Sequence, residues 1–176
     1  MNEVVEVSVI ISNRFELDRS RFDLSSVFSR LVDEWEEVCA GRDLTFSIQL
    51  PDNLPLEADE ERLMQVMDHL IRNAYSYSLP GGSVRVQAEA NADWIMIQVV
   101  DKGVGIAEHE IERVFDRLYR GSSADAGPTD ARGLGLGLYI SKTIIEAHQG
   151  TISLTSRVKH GTTVTLWLPV GNVHGL

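Results

Sequence analysis

Three short segments, in a fixed order along the second half of the chain, limit what it can fold into. His69-Leu70-Ile71-Arg72-Asn73-Ala74 lies in a run with helical apolar spacing. Asp101-Lys102-Gly103-Val104-Gly105-Ile106 follows directly on the apolar run Ile95 to Val100. Gly133-Leu134-Gly135-Leu136-Gly137-Leu138 opens another helical pattern. A fold that uses all three needs a helix, a strand ending in an aspartate, and a helix whose start is kept free of side chains.

The rest of the chain supplies matching elements. Asp23 or Ser25 is placed to cap a helix, whose apolar stripe runs through Val27, Phe28, Leu31, Val32, Trp35 and Val38 and ends near Gly41. Leu44 to Leu50 alternates as a half-buried strand, and Pro51 to Pro55 reads as a loop. Asp59-Glu60-Glu61 places acids where a helix dipole favours them, ahead of a core face formed by Leu63, Val66, Met67, Leu70, Ile71 and Ala74. His69, Asn73 and Tyr77 recur every fourth residue and share a different face. Ser83 to Ala88 and Trp94 to Val100 form a hairpin, Ala107 to Tyr119 a helix, and Gly135 to Ala147 another. Thr151 to Ser156 and Thr162 to Pro169 are the last strands. Gly121 to Arg132 lacks apolar periodicity and reads as a mobile loop. Val4, Val7 and Ile11 leave helix and strand both open at the start, and Asn13 to Arg21 connects. The expected fold is α+β: a two-layer sandwich of a mixed β-sheet covered by helices on one face.

Composition narrows the function. A net charge of −10 argues against a general nucleic-acid surface, although local basic groups can still hold a polyanion. The single cysteine, Cys39, excludes an internal disulfide framework and reads as a small buried residue. No apolar run is long enough to span a bilayer, and no signal peptide is recognisable.

Each segment has a bland reading beside its chemical one. Asp101 could accept a hydrogen bond from an exocyclic amine, as on adenine, with Gly103 and Gly105 letting a ligand approach the main chain; an Asp-Gly turn is the alternative. Gly133, Gly135 and Gly137 could expose N–H groups to phosphate at a helix start, or form a plain linker; the spacing is neither a dinucleotide fingerprint nor a P-loop. Asn73 offers a hard oxygen suited to Mg²⁺, or is an interior amide. Arg117 and Arg120 could clamp phosphates, or end a helix in solvent.

Taken together, Asp59 to Pro169 resembles the ATP-binding catalytic domain of sensor histidine kinases, within the gyrase, Hsp90, histidine kinase and MutL superfamily and its Bergerat-type ATP-binding fold. His69 to Ala74 is similar to the N box, Asp101-x-Gly103-x-Gly105 to the G1 box, Val114 to Arg120 to the F box, and Gly133 to Leu138 to the G2 box. Gly161-Thr162-Thr163 matches a further position near the nucleotide. The resemblance implies ATP and Mg²⁺ as cofactors. Asn73 would hold the metal against the phosphates and Asp101 would read the adenine amine. Tyr77 and Tyr119 would line base and ribose, and Arg120 would reach the phosphates, making Asn73 and Arg120 the catalytic pair. His69, Ser76, Gly103, Gly105, Ile106, Arg117, Gly133, Leu134, Gly135, Leu136, Gly137, Leu138, Thr162 and Thr163 complete the expected nucleotide contacts, with a lid at about 107–132, its loop at 121–132.

The chain departs from the family pattern at three places. His69 stands where a second asparagine is frequent, Ser76 where many members carry lysine, and Leu118 where phenylalanine is usual. His109-Glu110-Ile111 begins like a phosphoacceptor motif but continues Glu112-Arg113-Val114, and it falls in the lead-in to the F box, so it is read as a decoy. Residues 1–21 resemble the end of a dimerisation helix and its connector, and 22–176 the catalytic domain. The expectation is therefore a fragment whose dimerisation and histidine-phosphotransfer domain lies upstream. That domain, and a response regulator reached through it, are the expected partners, with no nucleic acid and no membrane contact by this chain, in a cytoplasmic setting. The expected activity is transfer of the ATP γ-phosphate to a histidine on that absent domain. The competing readings are a nucleotide-binding regulatory module, a gyrase- or Hsp90-like ATPase and an anti-sigma-type kinase.

Overall fold

A computed structural model of the chain describes residues 16–121 and 134–170. The expected start of the connector, the lid residues 122–132 and Gly133 lie outside the described residues. Within them the chain runs β1 (Ser20–Asp23), α1 (Leu24–Ala40), β2 (Thr45–Gln49), β3 (Pro55–Ala58), α2 (Glu60–Tyr77), β4 (Ser83–Ala90), β5 (Trp94–Asp101), α3 (Glu108–Ile111), α4 (Gly137–Ala147), β6 (Thr151–Arg157) and β7 (Gly161–Pro169).

Five strands form one mixed sheet in the order β2-β4-β5-β7-β6, parallel only between β2 and β4. Alternation decides which face is covered. Val84, Val86, Ile95, Ile97, Val99, Leu166 and Leu168 point under the helices and are buried. On the other face Gln87 Nε2 donates to Gln98 Oε1 at 2.7 Å, and Gln98 Nε2 donates to Thr165 Oγ1 at 3.1 Å, a polar ladder across three strands. The α+β sandwich with one covered face thus holds. Between the layers sit Leu24, Phe28 and Leu31 of α1, Leu63, Val66, Met67, Leu70 and Ile71 of α2, and Ile140, Ile144 and Ile145 of α4. Cys39 is buried in this layer, as expected, and burial pushes its thiol above the ordinary value.

Asp23 caps α1 through Ser25 N at 3.3 Å and Ser26 N at 3.2 Å. It also accepts from Leu54 N at 2.8 Å, which ties the helix start to the loop before β3. The β1–β3 pair is not expected from the sequence: Ser20 and Arg21 fall in the expected connector, Pro55 closes the expected loop, and Leu56–Ala58 is assigned to no element. Four-residue strands show too little alternation to register, and it is their antiparallel pairing that makes them strands. The helix expected over 107–119 is also shorter. Beyond Ile111 the chain turns through bonds from Arg113 N to Glu110 O, Asp116 N to Arg113 O and Tyr119 N to Asp116 O, each spanning three residues. Leu118, in the left-handed region at φ 61°, ends any helix there.

The far ends of α2 and α4 meet at a buried imidazole. His148 Nδ1–H donates to Ile144 O at 2.8 Å, so Nε2 is free to accept from Asp59 N at 3.0 Å. Asp59 caps α2 through Arg62 N and accepts from Asp18 N at 3.0 Å, while Arg19 Nη2 donates to Ala147 O at 3.0 Å. Burial holds the His148 imidazole below its ordinary value; the Ile144 carbonyl and Asp59 oppose this, and Arg19 adds to it. The unfolded chain therefore takes up this proton more readily, and the stability His148 supplies is present above pH 6.5 and lost on acidification. Denaturant titrations between pH 8 and pH 5 will show wild type losing stability relative to His148→Gln as pH falls through this window. Parallel profiles would contradict the assignment.

Candidate functional site

The solvent-facing edge of α2 builds the first wall. Because His69, Asn73 and Tyr77 recur every fourth residue, one helical face carries all three, with Ser76 beside them, and all four line a single cavity of about 360 Å³.

The floor is the end of β5. Asp101 is buried, and its Oδ1 accepts from Gly103 N at 2.8 Å and from Thr162 N at 3.2 Å. Desolvation raises its carboxyl to about 6, the two backbone N–H donors opposing the rise. Tight backbone approaches explain two of the glycines. A Cβ on Gly103 would meet Tyr77 O at 2.2 Å, and one on Gly105, at φ 71°, would meet Arg157 O at 2.1 Å. The loop continues to Ile106, whose N donates to Ser156 Oγ at 2.8 Å; that hydroxyl also pairs with Thr162 Oγ1 at 2.9 Å.

The third wall is the start of α4 with the segment before the undescribed loop. Gly135, at φ 71°, lies so close to Tyr119 O that a Cβ would sit 2.6 Å away, and its carbonyl accepts from Leu118 N at 3.1 Å. Leu136 takes the N-cap position with no side-chain bond to the helix, which leaves the first α4 N–H groups available to an anion. Gly137 packs on the His69 ring, with the added Cβ position 3.6 Å from its Cγ. Arg120 faces Tyr77, whose phenol is raised by burial and lowered in part by that guanidinium.

The cavity thus gathers His69, Asn73, Ser76, Tyr77, Asp101, Gly105, Ile106, Tyr119, Arg120, Leu134, Gly135, Leu136, Gly137, Leu138 and Thr162. Three expected residues do not line it. Gly103 is packed against the end of α2. Thr163 falls on the opposite strand face from Thr162 and pairs with Val100 and Thr155. Arg117 is exposed, just before the reversal at Leu118. Gly133 lies outside the described residues. Two polar lining residues lie outside the expected set, Arg72 of α2 and Glu110; Glu110 lines the cavity at 5% exposure while Glu108 and Glu112 face solvent. Its spacing of four from buried Val114 was the available signal, hidden in an acidic run.

The cavity fits an adenine nucleotide on its own geometry: a recessed carboxylate, close-approach glycines, an uncapped helix start and an arginine at the rim. Among the described residues no cluster of three histidine, cysteine or acidic groups could hold a metal ion. A divalent ion here would rely on Asn73, phosphate oxygens and water, the usual habit of Mg²⁺.

The profile of the histidine kinase-, DNA gyrase B- and HSP90-like ATPase family matches residues 58–172. The chain belongs to this family. The sensor histidine kinase WalK of Bacillus subtilis (strain 168) is 34% identical over 172 residues, 96% of this chain and 28% of WalK. The adaptive-response sensory kinase SasA of Synechococcus sp. (strain CC9311) is 33% identical over 168 residues, 93% of this chain and 43% of SasA. The catalytic domain of histidine kinase ThkA superposes with a TM-score of 0.75 at 25% identity, over 87% of this chain and 96% of that one. A second ThkA structure, in complex with the response regulator protein TrrA, matches with a TM-score of 0.73 at 23% identity, over 97% of this chain and 49% of that one. The chain spans less than half the length of these curated relatives. It is the ATP-binding catalytic domain of the sensor histidine kinase type within this ATPase family. No described helix is long and apolar enough to cross a membrane.

In this ATPase domain Asp101 is held against its own stability. A carboxyl raised from 3.8 to about 6 loses stability as pH rises through that interval, because the folded chain binds the proton more tightly. Above pH 6 the deficit is about 3 kcal/mol. Asp101→Asn keeps an oxygen for Gly103 N and Thr162 N and removes the charge. Urea unfolding should show the variant more stable by up to about 3 kcal/mol at pH 7.5, with the gain shrinking toward pH 4. Equal stability at both pH values would refute the burial argument.

Proposed function

We propose that this domain binds Mg-ATP and presents the γ-phosphate to a histidine carried by a separate dimerisation domain, from which a response regulator is served. The observation that carries the reading is the convergence of Asn73, Asp101, Arg120 and the uncapped α4 start on one cavity, in a chain of this family. Residues 22–176 are the catalytic domain in this reading, and 1–21 its connector.

The roles follow from chemistry. Asp101 accepts from the adenine exocyclic amine. Tyr77 and Tyr119 border the base and ribose. The α4 N–H groups and Arg120 stabilise the phosphates, and Asn73 supplies the protein oxygen for Mg²⁺. The ion would neutralise phosphate charge and hold the terminal group in line for transfer. The acceptor imidazole is itself the nucleophile, so no strong general base is required. Ser76 leaves one cation fewer than many members carry, and Arg120 bears more of the phosphate charge.

Incubating the chain with Mg-ATP and a separately prepared dimerisation domain should produce acid-labile phosphohistidine on that domain. Asn73→Asp should abolish transfer while leaving adenosine binding intact. Asp101→Asn should weaken ATP binding at least about tenfold, the worth of a hydrogen bond to a charged group. Tight ATP binding without transfer would favour a regulatory module instead, and steady hydrolysis without an acceptor would favour an ATPase.

A further inference from the structure

Glu110 is the buried acidic residue of the cavity that the roles above leave unused. Burying a carboxylate beside a polyphosphate site is costly, and packing alone would be served as well by an amide or an apolar side chain. Its surroundings show what a carboxylate adds. Tyr119 Oη–H donates to Glu110 Oε1 at 3.1 Å. The Arg113 guanidinium lies over the Tyr119 ring, 4.5 Å from its centroid. Gly121 runs directly over the same carboxyl group, where a Cβ would sit 3.4 Å from Oε1. On one side of Arg120, Tyr119 is therefore bonded to this carboxylate, on the other Gly121 passes beside it, and Gly135 closes against the Tyr119 carbonyl from the α4 side.

We propose that Glu110 is a positioning residue for phosphate recognition: through Tyr119 and Gly121 it fixes the backbone at Arg120 so that the guanidinium stands at the cavity rim. A charged acceptor suits this, since hydrogen bonds to an ionised group are roughly twice as strong as neutral ones. The base end of the cavity is set by Asp101, whose Oδ1 accepts from Gly103 N and Thr162 N. The inference rests on the nucleotide reading and predicts a loss that falls mainly on the phosphates.

The test is a double-mutant cycle on the full chain with Tyr119→Phe and Glu110→Ala, titrating Mg-ATP and adenosine separately by calorimetry or NMR. Each single variant should weaken Mg-ATP binding about fivefold, the worth of one ordinary hydrogen bond, and the double variant no more than the worse single one. In both single variants the loss for adenosine should be smaller than the loss for Mg-ATP, because the Tyr119 ring stays beside the base and ribose while Arg120 serves the phosphates. Glu110→Gln, which keeps shape and an acceptor oxygen, should recover part of the Glu110→Ala loss and serves if the alanine variant folds poorly. Additive losses, an equal loss for adenosine, or unchanged Mg-ATP affinity in Tyr119→Phe would overturn the proposal. Failure of the wild-type chain to bind Mg-ATP would overturn the nucleotide reading as well, whereas normal wild-type binding with additive losses defeats the role of Glu110 alone.

Discussion

The Asp101 carboxyl group, buried and bound by two backbone N–H groups, is the constraint on which the rest of the site depends. Its bond to Thr162 N joins the end of β5 to the start of β7, and its bond to Gly103 N folds the following turn back against the end of α2. Removing those donors would leave a buried charge unsatisfied, so the carboxylate and the turn specify each other. The two glycines of that turn serve this closure differently: Gly103 admits the Tyr77 carbonyl, and Gly105 admits the β6–β7 turn at Arg157.

The cavity lies where two helices of different origin converge on one sheet. α2 contributes a polar face over its apolar one, and α4 contributes its bare N-terminus. At the opposite ends of these helices, Asp59 and His148 are joined directly, and the incoming chain is bonded to Asp59 through Asp18 N and to Ala147 O through Arg19. The spacing between Asn73 and Gly137 is therefore governed from two places, by core packing near the cavity and by the imidazole junction away from it.

Much of this was legible in the residues because strong periodicity and capping agree. The helix stripes of α1 and α2, the alternation of β4, β5 and β7, and the four ordered motifs each need only local pattern. What was not legible depends on contacts distant in sequence. β1 and β3 exist through mutual pairing over about thirty residues, which no four-residue window displays. The expected helix stops at Ile111, after which the chain runs through three-residue turns to Leu118, left-handed and with its N bonded to Gly135 O. Glu110 sits in an acidic run with exposed Glu108 and Glu112, its spacing from Val114 is a weak local mark, and the return of Tyr119 is what sets it apart. Thr162 and Thr163 were read together, although strand geometry must send them to opposite faces.

The half-covered sheet has a consequence for how such a chain can diverge. Along β5 the residues Ile95, Ile97, Val99 and Asp101 answer to the core and the cavity, whereas Met96, Gln98 and Val100 answer to the polar face. Two interleaved texts are written on one strand, and either can be edited without disturbing the other. A lineage can rewrite every second residue to suit whatever meets the outer surface while its ligand chemistry is inherited intact.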